Sequence, residues 1–226
     1  MAIAHVLSHR AMAHELGLLG EWLERNNFFV SRSYREDDWS LTQALDSDLL
    51  IILGSPNSVA EGYEHESSSR EVELVKARIE QNKPLFGICF GAQIIGRAIG
   101  GKVKRHTTRN RSFKKVDALS PAISAGPWGF SHEDRVEASS IQSIPGVEVM
   151  ATYEDAAVVF TQGCINAIQF HPEVDGPGYA RMLQSVNVEE AVWGPVSEAM
   201  QNDDAQLRER TFALFDHLYQ RSLSLI

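Results

Sequence analysis

Cysteine is scarce in this chain. Only Cys89 and Cys164 occur, and neither sits in a C-x-x-C or similar spacing, so neither a disulfide framework nor a zinc site is supported. Long apolar runs are missing too, and none approaches the ~20 residues that a helix needs to cross a bilayer. The first residues, Met1-Ala2-Ile3-Ala4-His5, lack the charged-then-apolar order of a secretory signal. Positive charge is the minority sign. The 21 Lys and Arg stand against 30 Asp and Glu, a formal net charge of −9, which argues against nucleic acid or an anionic membrane as the main partner. Internal repeats, low-complexity tracts and dividing linkers are also absent. What remains, 226 residues at 43% hydrophobic and 23% charged, is ordinary globular composition, and the expectation is one cytoplasmic domain spanning residues 1–226.

In the first half, apolar runs alternate with amphipathic ones. Ile3 to Leu7 predicts a short strand. Leu16, Leu19 and Leu23, with Leu18 and Trp22, form one face of a helix between Ala11 and Arg25. Phe28 to Tyr34 is a second strand candidate. Leu49 to Leu53 is apolar without alternation, as a parallel strand covered on both faces is. A turn follows at Gly54-Ser55-Pro56-Asn57-Ser58, then a helix from Ser68 to Gln81 on Val72, Val75 and Ile79, then a strand at 84–88 and a helix ending near Gly100-Gly101. This alternation implies right-handed crossovers and an α/β fold: a three-layer sandwich with a mainly parallel central sheet and helices on both faces. The second half predicts shorter, partly antiparallel strands within Lys102–Leu119, Trp128–Val136, Val147–Thr152 and Ala156–Phe170. From Pro177 the chain turns helical, with Leu207, Leu214 and Leu218 on one face of a last helix.

Two short segments carry chemistry. Gly87-Ile88-Cys89-Phe90-Gly91 ends an apolar run and opens a periodic one, the form of a nucleophile elbow with Cys in the reactive place. A sharp strand-to-helix turn pushes such a side chain out above the sheet. The helix beginning at Phe90 aims unpaired N–H groups and its positive end at the sulfur, which favours thiolate. A lone Cys can equally pack as a small hydrophobe, and the pentapeptide alone leaves both readings open. The second segment is Gln169-Phe170-His171-Pro172-Glu173. If the strand from Ile165 carries through it, His171 and Glu173 point to one side. A Cys nucleophile needs a base, and the base needs a group to fix its tautomer; Cys89, His171 and Glu173 fill those roles in order.

With Leu53-Gly54-Ser55-Pro56-Asn57-Ser58-Val59, these segments resemble the class I (triad) glutamine amidotransferases, and most of all the glutaminase domain of GMP synthase. Phe130-Ser131-His132-Glu133-Asp134-Arg135-Val136 resembles the S-H-G-D-[KR]-V segment of that domain, and the likeness runs over roughly residues 3 to 185. The resemblance implies a flavodoxin-like fold and hydrolysis of the glutamine side-chain amide through a Cys thioester. The ammonia released would pass to a separately encoded synthase, and no metal or organic cofactor is needed. It assigns Cys89 as nucleophile, His171 as general base and acid, and Glu173 as its orienter. Gly54 and Phe90 become oxyanion-hole donors, Gln93 a substrate contact, and Ser131, Glu133 and Asp134 the lining at the α-carbon end. Two positions depart from the family pattern: Ser55 stands where a second Gly is usual, and Glu133 where the Gly of S-H-G-D is. Glu133 bears on what binds there and keeps a γ-glutamyl peptidase or hydrolase as the alternative. A silent binding subunit that retains the fold is a third reading, opposed by the complete Cys–His–Glu set. After the H-P-E segment, residues 174–226 contain no G-x-x-x-x-G-K-[ST] loop, so this stretch is not expected to supply an ATP-using synthase.

Other candidates carry less. Cys164 reads as packing, His132 as site-lining or structural, and the acidic 61–66 stretch as a solvated loop. His5, His9, His14, His65, His106 and His217 form no ligand pattern.

Overall fold

The alternation of apolar and amphipathic runs becomes alternating strands and helices. The computed structural model describes residues 1–12 and 16–226. Its first half runs β1 (Ile3–Ser8), a 3-10 turn at Arg10–Met12, α1 (Gly17–Arg25), β2 (Phe29–Tyr34), α2 (Leu41–Asp46), β3 (Leu49–Ile52), α3 (Ser68–Glu80), β4 (Leu85–Ile88) and α4 (Phe90–Ala98). The second half runs β5 (Val103–Lys114), β6 (Asp117–Ala118), β7 (Trp128–Val136), α5 (Ala138–Ile141), β8 (Val147–Tyr153), β9 (Ala156–Gln162), β10 (Ile165–Ile168), α6 (Gly176–Gln184), α7 (Glu190–Asn202) and α8 (Asp204–Leu223).

Eight strands form one sheet in the order β2-β1-β3-β4-β10-β9-β8-β6. The first five are mutually parallel, and β9, β8 and β6 continue antiparallel. β5 and β7 pair separately as an antiparallel ribbon. All four residues of β3 are fully buried, because Leu49 and Ile51 face the side covered by α1, α6, α7 and α8, while Leu50 and Ile52 face α2 to α5. A strand wetted on neither face has no reason to alternate, which is why β3 reads as a continuous apolar run. On the first side, Phe86 of β4 stacks on Phe215 of α8 at 5.9 Å between ring centroids.

The mainly parallel three-layer sandwich is thus present, with the antiparallel strands gathered at one edge. Several details differ from expectation. The first helix begins at Gly17 rather than Ala11, and residues 13–15, including His14, lie outside the described residues. α2 was not predicted, since only Ala44 of its six residues is buried and the apolar period is too short to see. On α3 the buried residues include Glu71, Leu74, Val75 and Arg78, with Val72 and Ile79 only half-buried, so charged side chains occupy part of the inward face. The strand from Ile165 stops at Ile168 and does not carry through to Glu173.

Candidate functional site

Three neighbouring strands, β3, β4 and β10, run parallel and end at the same edge of the sheet. The residues just beyond their carboxyl ends therefore converge: Gly54 after β3, Cys89 after β4 and His171 after β10. This is where open α/β sheets place their sites.

Cys89 is the sharp turn between β4 and α4. Its backbone has φ 54° and ψ −105°, a region an L-residue enters only when its surroundings force it, at a cost of about 1–3 kcal/mol. Two glycines make the turn possible. A β-carbon on Gly91 would lie 2.0 Å from the Ile52 carbonyl oxygen, and one on Gly87 would lie 2.5 Å from that of Gly91. Helix α4 can thus begin directly against β3. The Cys89 N–H donates to the Ile168 carbonyl at 2.8 Å, tying the turn to β10. The Cys89 sulfur lies 3.7 Å from the Ser131 carbonyl oxygen.

His171 reaches the site by leaving the sheet. Its N–H donates to the Gly129 carbonyl of β7 at 2.8 Å, and the preceding Phe170 stacks on Trp128 with ring centroids 4.5 Å apart. The imidazole is fully buried, and its Nδ1 is 2.7 Å from Glu173 Oε1, so Nδ1 carries the hydrogen of that bond and Nε2 is left for other partners. Nε2 has no hydrogen-bond partner among the described residues. Burial pulls the imidazole pKa down, but the charges of Glu173 and of Cys89 outweigh it and hold His171 well above its ordinary value. The two residues do lie side by side, through a turn at Pro172 rather than by strand alternation. Gly54 closes this corner: a β-carbon there would lie 3.5 Å from His171 Cε1 and 3.8 Å from Cys89 Cβ. Phe90 opens α4, so its N–H has no intrahelical acceptor.

In front of Cys89 lies a cleft of about 410 Å³, lined among others by Gln93, Ser131, Glu133 and Asp134. Gly54, His171 and Glu173 instead line a smaller void of about 40 Å³, and Phe90 lines neither. Gln93 is buried and donates to the Asp134 carbonyl at 2.8 Å. Asp134, also buried, accepts from the Ser58 hydroxyl and from Arg105 Nε at 3.0 Å. Glu133 is paired with Arg109 and sits 3.7 Å from Arg105. His132 donates through Nδ1 to the Asp134 carbonyl at 3.1 Å. Burial, with the positive charges of His171 and Arg135, pushes it down to about 3 and keeps it neutral.

The sequence reading missed the three arginines of β5 that line this cleft, Arg105, Arg109 and Arg111. The i, i+2 spacing of Arg109 and Arg111 in a strand was the available signal. Arg111 pairs in register with Ser131 and has no carboxylate partner among the described residues. Tyr179 of α6, whose hydroxyl donates to the Phe130 carbonyl at 2.6 Å, was also missed.

The structure thus places a Cys at a strained strand–helix turn near a buried His bonded to Glu, at the carboxyl edge of an α/β sheet. Residues 23–186 match the family described as glutamine amidotransferase class-I, and the chain belongs to it. A GMP synthase [glutamine-hydrolyzing] of Staphylococcus aureus is 34% identical over 143 residues, which is 59% of this chain and 26% of that protein. The matched stretch is thus about a quarter of that relative's length. A glutamine amidotransferase of Thermotoga maritima shares the fold with a TM-score of 0.79 at 16% identity, over 96% of this chain and 98% of that one. One of Methylobacillus flagellatus gives 0.76 at 15% identity, over 100% and 95%.

Proposed function

We propose that this chain hydrolyses the side-chain amide of L-glutamine by acyl transfer to Cys89. The Cys89 thiolate attacks the amide carbonyl carbon, and the oxyanion is received by the N–H groups of Gly54 and Phe90. A donor of this kind is worth about 3–4 kcal/mol in the transition state. His171, protonated, gives its Nε2 proton to the departing ammonia. It then takes a proton from water as the water attacks the γ-glutamyl thioester, releasing glutamate and regenerating the thiol. Glu173 holds the imidazole in the tautomer and orientation that both transfers need. Gln93, Ser131, Glu133 and Asp134 receive the α-carbon end of the substrate. The ammonia goes to a separate synthase domain or subunit. The observation that carries this reading is the Nδ1–Oε1 bond of 2.7 Å between His171 and Glu173, at the sheet edge where Cys89 stands. The test is release of glutamate and ammonia from glutamine by the purified chain, with Cys89→Ala as control. Turnover that vanishes in the variant supports the reading, and turnover that survives overturns it.

A second reading has its own observation. Among the described residues, the cleft presents three guanidiniums against two carboxylates, and Arg111 has no carboxylate partner there. Free glutamine brings one carboxylate, held close to its own ammonium. A γ-glutamyl peptide brings a second carboxylate beyond the scissile amide, suited to the Arg111 guanidinium. A panel of glutamine and γ-glutamyl dipeptides separates the two: fast turnover of the dipeptides with little on glutamine favours a γ-glutamyl hydrolase.

A further inference from the structure

Arg35 is buried against Leu53 and Phe90, next to the site, although nothing in the chemistry above requires a cation there. Its side chain is 1% exposed, as is that of Glu71, the carboxylate nearest to it at 3.6 Å. The pair is poorly satisfied. Nε and Nη1 of Arg35 and both oxygens of Glu71 have no hydrogen-bond partner among the described residues. Burying two charges with incomplete hydrogen bonding is a poor way to gain stability, and apolar packing of the same volume would serve better. The guanidinium makes two contacts instead. Nη2 donates to the Leu53 carbonyl at 3.0 Å, and Cζ lies 4.5 Å over the Phe90 ring. The Arg35 backbone is anchored at the same sheet edge, its N–H donating to the Ser8 carbonyl at 3.0 Å.

Those two contacts fall on the peptide unit that carries the Gly54 N–H and on Phe90, and Gly54 and Phe90 are the residues read as oxyanion donors. The Leu53 carbonyl and the Gly54 N–H belong to one planar peptide unit, so a donor that fixes the carbonyl also fixes the direction of the N–H. A charged donor on the carbonyl polarises the whole unit and makes its N–H a stronger donor. We propose that Arg35 is a positioning residue: it orients and polarises the Leu53–Gly54 peptide and backs the Phe90 ring, so that both N–H groups meet the oxyanion formed on Cys89. The inference rests on the reading of Cys89, Gly54 and Phe90 given above. Arg35 touches no reacting atom. It acts through the two donors, and Glu71 supplies the charge that keeps it in place.

Arg35→Met alone leaves Glu71 buried without its partner, so the test uses Arg35→Met/Glu71→Gln, with circular dichroism and thermal unfolding to establish that it folds. Three readouts are compared with the wild-type chain: kcat and KM for glutamine, inhibition by L-glutamate γ-semialdehyde, and alkylation of Cys89 by iodoacetamide. The aldehyde forms a tetrahedral adduct that needs the oxyanion donors, whereas alkylation needs only the sulfur. Losing one donor outright costs about 10²- to 10³-fold, so a mis-set donor should lower kcat by about 10- to 100-fold. KM should stay within about threefold, aldehyde affinity should fall by a factor like that of kcat, and the alkylation rate should stay near wild type. A folded double variant with unchanged kcat, a change in KM alone, or alkylation slowed in parallel with kcat overturns the proposal. In the last case the charge acts on the sulfur and not on the peptide. These results leave the assignment of Cys89 standing. A wild-type chain inactive on every γ-glutamyl amide overturns the reading of the site, and the role of Arg35 with it.

Discussion

His171 has opposing forces on its proton. Complete burial disfavours the imidazolium, while Glu173 and Cys89 favour it strongly enough to raise its pKa well above the ordinary value. Glu173→Gln keeps a hydrogen-bond acceptor for Nδ1–H but removes one of the raising charges and leaves the burial, so the His171 pKa should fall. In the proposed reaction ammonia departure requires the protonated ring, so activity should be lost as pH rises through that pKa. The alkaline limb of the kcat profile should therefore lie at lower pH in Glu173→Gln than in the wild type, with a smaller loss of rate than in His171→Ala. Glutamate release measured across pH checks this, and a limb that does not move contradicts it. His132 should not contribute to that profile, since its pKa of about 3 keeps it neutral throughout.

At the level of elements, the turn between β4 and α4 has no slack. The position of Gly91 admits no β-carbon, since one would meet backbone at 2.0 Å. Gly91→Ala should destabilise the chain by about 3 kcal/mol or more, because α4 has to move away from β3 and no flexible side chain can yield instead. The urea midpoint checks this, and a midpoint within error of the wild type contradicts it. Here the sequence was informative: Gly87, Cys89 and Gly91 have the form of an elbow, though that pattern alone left packing open, and the apolar runs of β3 and β4 announced the buried parallel strands. It was silent where partners are remote in the chain. Arg78 looks like a surface residue of α3, yet it is buried because the Leu45 and Pro84 carbonyls, at 2.8 and 2.9 Å, take up its guanidinium. Alternation suggested that His171 and Glu173 are neighbours. The hydrogen bond of the His171 N–H to Gly129 breaks that alternation, and no local pattern foretells such a bond.

Across the whole molecule, a chain of net charge −9 gathers Arg105, Arg109 and Arg111 at one cleft. Composition concealed this, because an average over 226 residues has no place in it for a ribbon of two strands. Arg111, which has no carboxylate partner among the described residues, leads to a selective prediction if the substrate has a second carboxylate. A charge-assisted hydrogen bond is worth about 1.5–3 kcal/mol, so Arg111→Ala should raise KM for a γ-glutamyl dipeptide by about 10- to 100-fold with a much smaller effect on glutamine. Equal effects on the two substrates would assign Arg111 to the shared α-carbon end.

The central claim is that acyl transfer runs through Cys89, and mapping a covalent glutamine analogue tests it most directly. Cys164 is the internal control: it is buried, its sulfur lies 3.3 Å from Asn82 Oδ1 and 3.4 Å from the Ser222 carbonyl, two acceptors for its one S–H, and burial pushes its pKa up. Treated with 6-diazo-5-oxo-L-norleucine, the wild-type chain should gain one adduct, on the peptide containing Cys89, and lose its glutaminase activity in step. Cys164→Ala should be labelled as the wild type is, and Cys89→Ala should take up none. An adduct on Cys164, or glutamine hydrolysis that survives in Cys89→Ala, contradicts the claim.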